Sequence, residues 1–292
     1  MWNDTLTHYQ EMIEEALRQY LPEAASSDPA GKVTEAMRYS LLCGGKRIRP
    51  VLTLAFCELC GGDLQKALPF ACAIEMVHTY SLIHDDMPCM DNDDMRRGKP
   101  TNHKVYGEDM ALLAGDGLLT KAFETALLAE EKETAATAAL VLAQRAGEKG
   151  MVGGQCIDLQ TEGQSADLSL LVTMDMGKTV ALISAACRMG CIAAHGDEAA
   201  LAAAEQFAIG LGMAFQIRDD ILDVQGDPQK LGKNVGMDAA MDKRNYVSLL
   251  GVDRAQELVR DYTEQAEAAL RSFSGDTDFL RKLAESLVQR ES

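Results

Sequence analysis

Basic residues are in short supply: Lys and Arg number 28 against 45 Asp and Glu, so the 292-residue chain carries a formal net charge of −17. A surface that acidic repels nucleic acid and anionic lipid, which removes both from the expected bulk partners. An anionic small molecule would have to be held by a local knot of cations, against the global field. Proline nearly vanishes after residue 100: six of the seven lie at or before Pro100 and the last is Pro228. Sustained alternation of β-branched and polar residues is missing, which leaves strands poorly supported. No stretch approaches about 18 uninterrupted apolar residues, and the one after Thr179 is cut by Arg188, so no membrane span is expected. The opening segment, Met1 to Tyr20, has no basic run followed by an apolar core; no signal peptide is expected, and the chain reads as cytoplasmic.

What is present is an ordinary globular composition, 47% hydrophobic and 25% charged, which excludes disorder as the main state. Eight cysteines without a secretory signal read as buried, reduced thiols. Cys57-x-x-Cys60 and Cys187-x-x-x-Cys191 could make a zinc site in principle, but both lie in apolar Ala/Leu-rich stretches without loop character, so they read as core. The proline-free span 101–227 is rich in Ala, Leu, Met, Glu and Gln, the strong helix formers. Gly and Pro punctuation divides the chain into helices near 3–20, 31–43, 48–61, 64–85, 104–130, 132–149, 167–195, 197–225, 238–249 and 253–287. Asp63 and Asp197 stand where N-caps belong. With no long linker and no repeat, the expectation is one all-α domain over residues 1–292.

Two Asp-rich clusters interrupt apolar helices. The first runs from His84 through Asp85, Asp86, Met87, Pro88, Cys89, Met90 and Asp91 to Asn92, Asp93 and Asp94. Five carboxylates this close repel unless cations neutralise them. Asp85 and Asp91 are six residues apart, about 240° on an ideal helix, so they converge only where the helix end is distorted; Pro88 supplies a reason. In the second cluster Gln216, Asp219, Asp220 and Asp223 fall at i, i+3, i+4 and i+7, sharing one stripe opposite Ile217, Ile221 and Leu222. Oxygen donors without His or Cys suit Mg²⁺, which keeps waters and takes few protein carboxylates plus substrate phosphates. Cations gather in two clumps: Gly44-Gly45-Lys46-Arg47-Ile48-Arg49-Pro50, and Arg96-Arg97-Gly98-Lys99 directly behind the first acidic cluster. Arg matches phosphate in two-point contacts and Lys supplies a point charge. Lys178-Thr179, Lys233 and Lys243 are further candidates.

Taken together, Lys46-Arg47-x-Arg49-Pro50, Asp85 to Asp91 with Arg96-Arg97-Gly98, Gly153-Gly154-Gln155-x-x-Asp158-Leu159, Lys178-Thr179 and Phe215-Gln216-x-x-Asp219-Asp220-x-x-Asp223 resemble the trans-polyprenyl diphosphate synthases, most of all the bacterial farnesyl diphosphate synthase type. The resemblance spans about residues 30 to 250, with five motifs in the expected order. It implies an all-α isoprenoid-synthase fold around a deep cavity, and a homodimer. It further implies two Mg²⁺ on aspartates like Asp85 and Asp91 and a third on Asp219. Arg96, Lys178, Gln216, Lys233 and Lys243 would hold the allylic diphosphate; Lys46, Arg49, His78 and Arg97 would hold that of isopentenyl diphosphate. The implied reaction is head-to-tail condensation, with metal stabilising the departing diphosphate and apolar walls excluding water.

If Asp85 anchors the head group, the hydrocarbon tail runs back along the same helix. Ser81 lies one turn below and Tyr80 beside it. One turn rises about 5.4 Å, close to one isoprene unit, so Tyr80 is expected to act as a floor; in the resembled family an aromatic here goes with C15 product and smaller residues with C20. The chain departs from that family at Met237 and at Arg244-Asn245. Geranylgeranyl diphosphate synthesis is the alternative product. A terpene cyclase would lack the second DDxxD and the basic turn. A ferritin-like metal protein would need more than the lone Glu75-x-x-His78, since none of the other histidines has Glu three residues before it.

Overall fold

Short polar side chains open four of the helices among the described residues, and glycines interrupt others. In the computed structural model, which describes residues 2–161, 167–225 and 245–288, helix α1 (Trp2–Tyr20), α2 (Gly31–Leu41) and α3 (Ile48–Leu59) precede a central α4 (Leu64–Asp85). Asp63 caps α4 by accepting the Gln65 N–H at 2.9 Å. Next come a small hairpin, β1 (Met95–Arg96) with β2 (Lys99–Pro100), then α5 (Asn102–Tyr106), α6 (Glu108–Leu127), α7 (Lys132–Ala146), α8 (Met151–Thr161) and α9 (Leu168–Asp175). A π-helical turn, Met176–Val180, leads into α10 (Ala181–Ala193). Asp197 accepts the Ala200 N–H at 2.8 Å and opens α11 (Glu198–Gln225). The described chain closes with α12 (Tyr246–Leu250), α13 (Val252–Leu270) and α14 (Asp278–Val288).

The all-α class and both aspartate caps hold, but several boundaries move. The hairpin was not expected; it is made by a tight turn at Arg97 (φ 53°) and Gly98 (φ 74°) and has two residues per strand. The span 104–130 breaks at Gly107, whose φ of 93° no helix accommodates. The span 253–287 breaks between α13 and α14. Glycines 147–154 were read as a junction, yet Gly153 and Gly154 lie inside α8. The expected 238–249 helix falls largely outside the described residues, as do Lys233, Met237, Lys243 and Arg244. Asn245, a departure from the family pattern, caps α12: its side chain accepts the Ser248 N–H at 2.9 Å in a capping box.

Small residues set how closely the helices pack. A Cβ on Gly190 of α10 would stand 2.3 Å from the Thr53 carbonyl of α3, and one on Gly210 of α11 would stand 2.5 Å from the Tyr262 carbonyl of α13. Phe56 fills the remaining space, edge-on to Phe207 and Phe273 with centroids 5.2 and 5.7 Å away. Helix α4 is buried along most of its length and packs on α3, α6 and α10.

Two sequence readings need correction. Cys57, Cys72, Cys187 and Cys191 are buried, but Cys89 and Cys156 are exposed, the first because it sits in the turn beyond α4 and the second on the open face of α8. Length does not exclude membrane crossing: averaged over 18 residues, Leu168–Ala193 and Glu198–Val224 are apolar enough, because scattered charges dilute rather than cancel hydropathy. In each, 56% of that window is buried inside the protein, as in a core helix.

Candidate active site

A cavity of about 620 Å³ opens between α4, α8 and the π turn. Its wall holds Arg49, His78, Tyr80, Ser81, Asp85, Lys178 and Thr179, seven of the residues singled out by sequence. Tyr80 is buried, packed edge-on against His84 with centroids 5.7 Å apart. The His84 imidazole lies 3.1 Å from the Leu112 carbonyl, and Gly115 makes room for it: a Cβ there would sit 2.0 Å from Nε2. The Ser81 hydroxyl turns back to the His78 carbonyl at 2.9 Å.

The first acidic motif folds back on itself as the spacing required. Helix α4 ends at Asp85, and the chain turns so that the Asp91 N–H donates to the Asp85 carbonyl at 2.8 Å. The Asp85 carboxyl is pushed up to about 6 by burial and by its neighbours Asp91 and Asp86, with Lys178 and Arg96 opposing. Asp86 goes elsewhere: it is buried against Arg96, whose Nη2 lies 2.5 Å away, and Arg96 also reaches Asp93 at 3.2 Å. The hairpin is therefore pinned to the end of α4, and it carries Arg97 to the basic turn. There Arg97 donates to the Gly44 carbonyl and lies across Gly45, where a Cβ would be 2.7 Å from its guanidinium carbon.

The basic turn divides its labour. Arg47, in a left-handed conformation (φ 52°), is buried: it pairs with Glu75 at 2.6 Å and Glu14 at 2.7 Å, and donates to the Leu41 carbonyl at 2.7 Å. Glu75 is thereby committed to an ion pair, which disposes of Glu75-x-x-His78 as a di-iron half-site. Arg49 points to the cavity with Nη1 3.4 Å from His78 Nε2, and its Nε is buried without a partner. Burial and the nearby Arg97 lower its pKa, with Glu75 opposing. Burial, then Arg49, Arg97 and Arg47, hold the His78 imidazole well below its usual range, so it is neutral at pH 7. Lys46 is exposed on the same turn. Cations crowded at mutual cost leave a site that an anion would relieve.

On the opposite side, the π turn is held by glycine contacts. A Cβ on Gly154 would lie 2.1 Å from the Lys178 backbone nitrogen, and one on Gly177 would lie 2.9 Å from Gly154 Cα. This backbone-to-backbone approach brings Asp158 of α8 to Lys178 at 2.5 Å and places Gln155, with a buried unpartnered Nε2, in the cavity wall. Thr179 donates to Gln216 Oε1 at 3.3 Å, and Gln216 Nε2 reaches Asp220 Oδ1 at 3.5 Å. Asp220 and Asp223 are buried and Asp219 half-buried on α11, while Ile217, Ile221 and Leu222 face the core. Adjacent residues of one turn, Lys178 and Thr179, thus reach Asp158 of α8 on one side and Gln216 of the second acidic motif on the other.

Among the described residues no three His, Cys, Asp or Glu side chains form a ready-made metal cage. The donor set still fits Mg²⁺: oxygen donors only, a carboxyl in Asp85 held against like charge, and room for water and ligand oxygens to complete the shell. Sequence reasoning missed two residues that bear on the site, Asp175 and Tyr246. The first is buried at the end of α9, and the second donates its N–H to Asp220 Oδ2 at 2.9 Å. A charged residue three positions before Lys178 was the available signal.

Comparison with known proteins agrees with this geometry. Residues 31–277 match the family described as Polyprenyl synthetase. A farnesyl diphosphate synthase of Geobacillus stearothermophilus is 43% identical over 290 residues, covering 98% of this chain and 97% of that protein. The large subunit 1 of a chloroplastic heterodimeric geranylgeranyl pyrophosphate synthase of Arabidopsis thaliana is 44% identical over 274 residues, covering 91% and 73%. The solved structure of geranylgeranyl pyrophosphate synthetase from Pyrococcus horikoshii superposes with a TM-score of 0.91 at 32% identity over 99% of both chains. With this fold, these motifs and these relatives, the chain belongs to the polyprenyl synthetase family and is a prenyltransferase of the trans-prenyl diphosphate synthase kind.

Proposed function

We propose that the enzyme joins isopentenyl diphosphate to dimethylallyl and then geranyl diphosphate, with Mg²⁺, to give (2E,6E)-farnesyl diphosphate. The observation that carries this reading is that Asp85 and Tyr80 stand in the wall of one cavity, a carboxylate at the head and an aromatic ring little more than a turn below it. Asp85 and Asp91, with Asp219 of α11, would hold the cations of the allylic diphosphate. Bound Mg²⁺ would supply Lewis-acid stabilisation of the diphosphate as its C–O bond breaks. Lys178 and Thr179 add a positive charge and a hydroxyl on the same side. Arg49, His78 and Arg97 offer the second anion site, where isopentenyl diphosphate would place its alkene toward the allylic carbon. Leu82, Met151, Leu159 and Leu182 line the cavity and exclude the water that would quench an allylic cation.

A C20 product is the second reading, favoured by the geranylgeranyl synthases among the relatives. Mass analysis of products from dimethylallyl or geranyl diphosphate plus isopentenyl diphosphate separates the two. The expected product is C15, with none formed when Mg²⁺ is chelated. Tyr80→Ala is expected to lengthen it by at least one isoprene unit, since a helix turn rises about 5.4 Å. Unchanged chain length in that variant would remove Tyr80 as the floor. Hydrocarbon formed from farnesyl diphosphate alone would replace the condensation reading with a cyclase.

A further inference from the structure

Asp175 and Tyr246 lie outside every motif used above, yet they complete a closed circuit around the site. From Asp175 the chain enters the π turn and reaches Thr179. Thr179 contacts Gln216, Gln216 contacts Asp220, and the Tyr246 backbone N–H holds the other oxygen of Asp220 at 2.9 Å. The circuit closes where the Tyr246 hydroxyl interacts with the Asp175 carboxyl without completing a hydrogen bond of good geometry. Both side chains are almost fully enclosed, Asp175 at 2% and Tyr246 at 1% exposure, and neither Asp175 Oδ2 nor the Tyr246 hydroxyl has another hydrogen-bond partner. A buried carboxylate oxygen and a buried phenol hydroxyl left without a completed hydrogen bond are costly, so their retention calls for an explanation. The other charged groups felt by Asp175 are Asp158 and Lys178, both already paired with each other.

Resting on the function proposed above, we infer that Asp175 and Tyr246 are positioning residues, a buried fastening that fixes the Lys178–Thr179 turn at a set distance from the Asp220 carboxylate. Neither touches substrate. Tyr246 acts through its backbone N–H on Asp220, and Asp175 sets where the Tyr246 ring comes to rest. Loss of the fastening would leave the fold intact, but the metal-bearing and cationic halves of the allylic diphosphate site would no longer be held in register. The anion site formed by Arg49, His78 and Arg97 lies on the other wall and would be unaffected.

The test is a double-mutant cycle with Tyr246→Phe, Asp175→Asn and the pair, on the full chain. Binding of inorganic pyrophosphate in the presence of Mg²⁺ is measured by calorimetry, and steady-state KM is measured for geranyl and isopentenyl diphosphate separately. Each single variant is expected to weaken Mg²⁺-dependent pyrophosphate binding about ten-fold and to raise the KM for geranyl diphosphate while sparing that for isopentenyl diphosphate. The double variant is expected to be no worse than the weaker single, because the two act as one contact. Unchanged binding in Tyr246→Phe, multiplying effects in the double variant, or equal changes in both KM values would overturn the inference. If Asp175→Asn fails to fold, Tyr246→Phe alone decides it by the first and third criteria. Should the wild type bind Mg²⁺-pyrophosphate with the expected coupling yet condense no substrate, the fastening stands and the proposed reaction falls.

Discussion

A buried carboxyl costs a fold most where it is forced to ionise, and Asp175 makes that cost measurable. Burial pushes its pKa up to about 7; Asp158 adds to the rise, and Tyr246 and Lys178 oppose it. In the unfolded chain an aspartate titrates near about 4. Between those values the unfolded state releases a proton that the folded state keeps, so stability falls as pH rises from about 4 to about 7 and stays lower above. Asp175→Asn removes this dependence. At pH 8 it is expected to raise Tm by several degrees, the rise from about 4 to about 7 corresponding to at most about 4 kcal/mol, and at pH 4 to change it little. An equal shift at both pH values would show that charge is not what Asp175 costs. The same substitution is expected to weaken pyrophosphate binding, so stability here is given up for alignment. The basic turn shows what sequence can and cannot separate at this scale. Arg47 and Arg49 read alike as phosphate-binding cations, but Arg47 is a structural pin because Glu14 and Glu75, 33 and 28 residues away, meet it in the core. No local pattern reveals partners that distant.

Elements, unlike residues, were largely legible. The aspartate caps and the proline-free helical span follow from local chemistry that tertiary contacts do not override. Two of the misread boundaries share one cause: glycine has two uses, and sequence does not say which applies. Gly107 breaks a helix through its positive φ, whereas Gly154 sits within α8 because a neighbouring backbone leaves no room for a side chain. The π turn at Met176–Val180 was read as plain helix, since one extra residue in a turn leaves no mark on an apolar periodicity. That turn carries Lys178 and Thr179, which the proposed reaction uses, so its packing is expected to bear on activity. In Gly154→Ala the new methyl would collide with the Lys178 backbone, which cannot swing aside as a flexible side chain would. The expected result is about 1 to 3 kcal/mol lost in thermal unfolding, with kcat/KM for the allylic substrate falling further than for isopentenyl diphosphate. Wild-type stability and kinetics in that variant would mean α8 has slack against the π turn.

At the scale of the whole molecule, the acidic surface and the cationic pocket work against each other, and the pocket prevails only at short range. A net charge of −17 acts over about one Debye length, roughly 8 Å at physiological salt. In the proposed reaction Arg49 and Lys178, in the cavity wall, would meet a diphosphate in direct contact, where charges are less screened than on the open surface. The apolar surface raises a separate question. Leu112 and Leu113 on the outer side of α6 are 47% and 51% exposed, and Leu127 and Leu128 at its end are 48% and 56% exposed. The opposite side of α6 is packed on α4, the helix that ends in the first acidic motif. Two pairs of exposed leucines, one near each end of α6 with exposed Asp116, Thr120 and Glu124 between them, offer apolar anchors within a polar face that a second copy could cover. Light scattering after size exclusion is therefore expected to give twice the 31.6 kDa chain mass. Leu113→Glu would bury a charge against its symmetry mate or its neighbours, so it is expected to halve that mass without unfolding the chain. A wild type that runs at 31.6 kDa, or a variant that keeps the doubled mass, would place the contact between copies elsewhere or nowhere. If the mass halves as expected, product analysis of the monomer shows whether the second copy also steadies α4, because loss of activity with Tm held constant would trace the dimer to the site rather than to the fold.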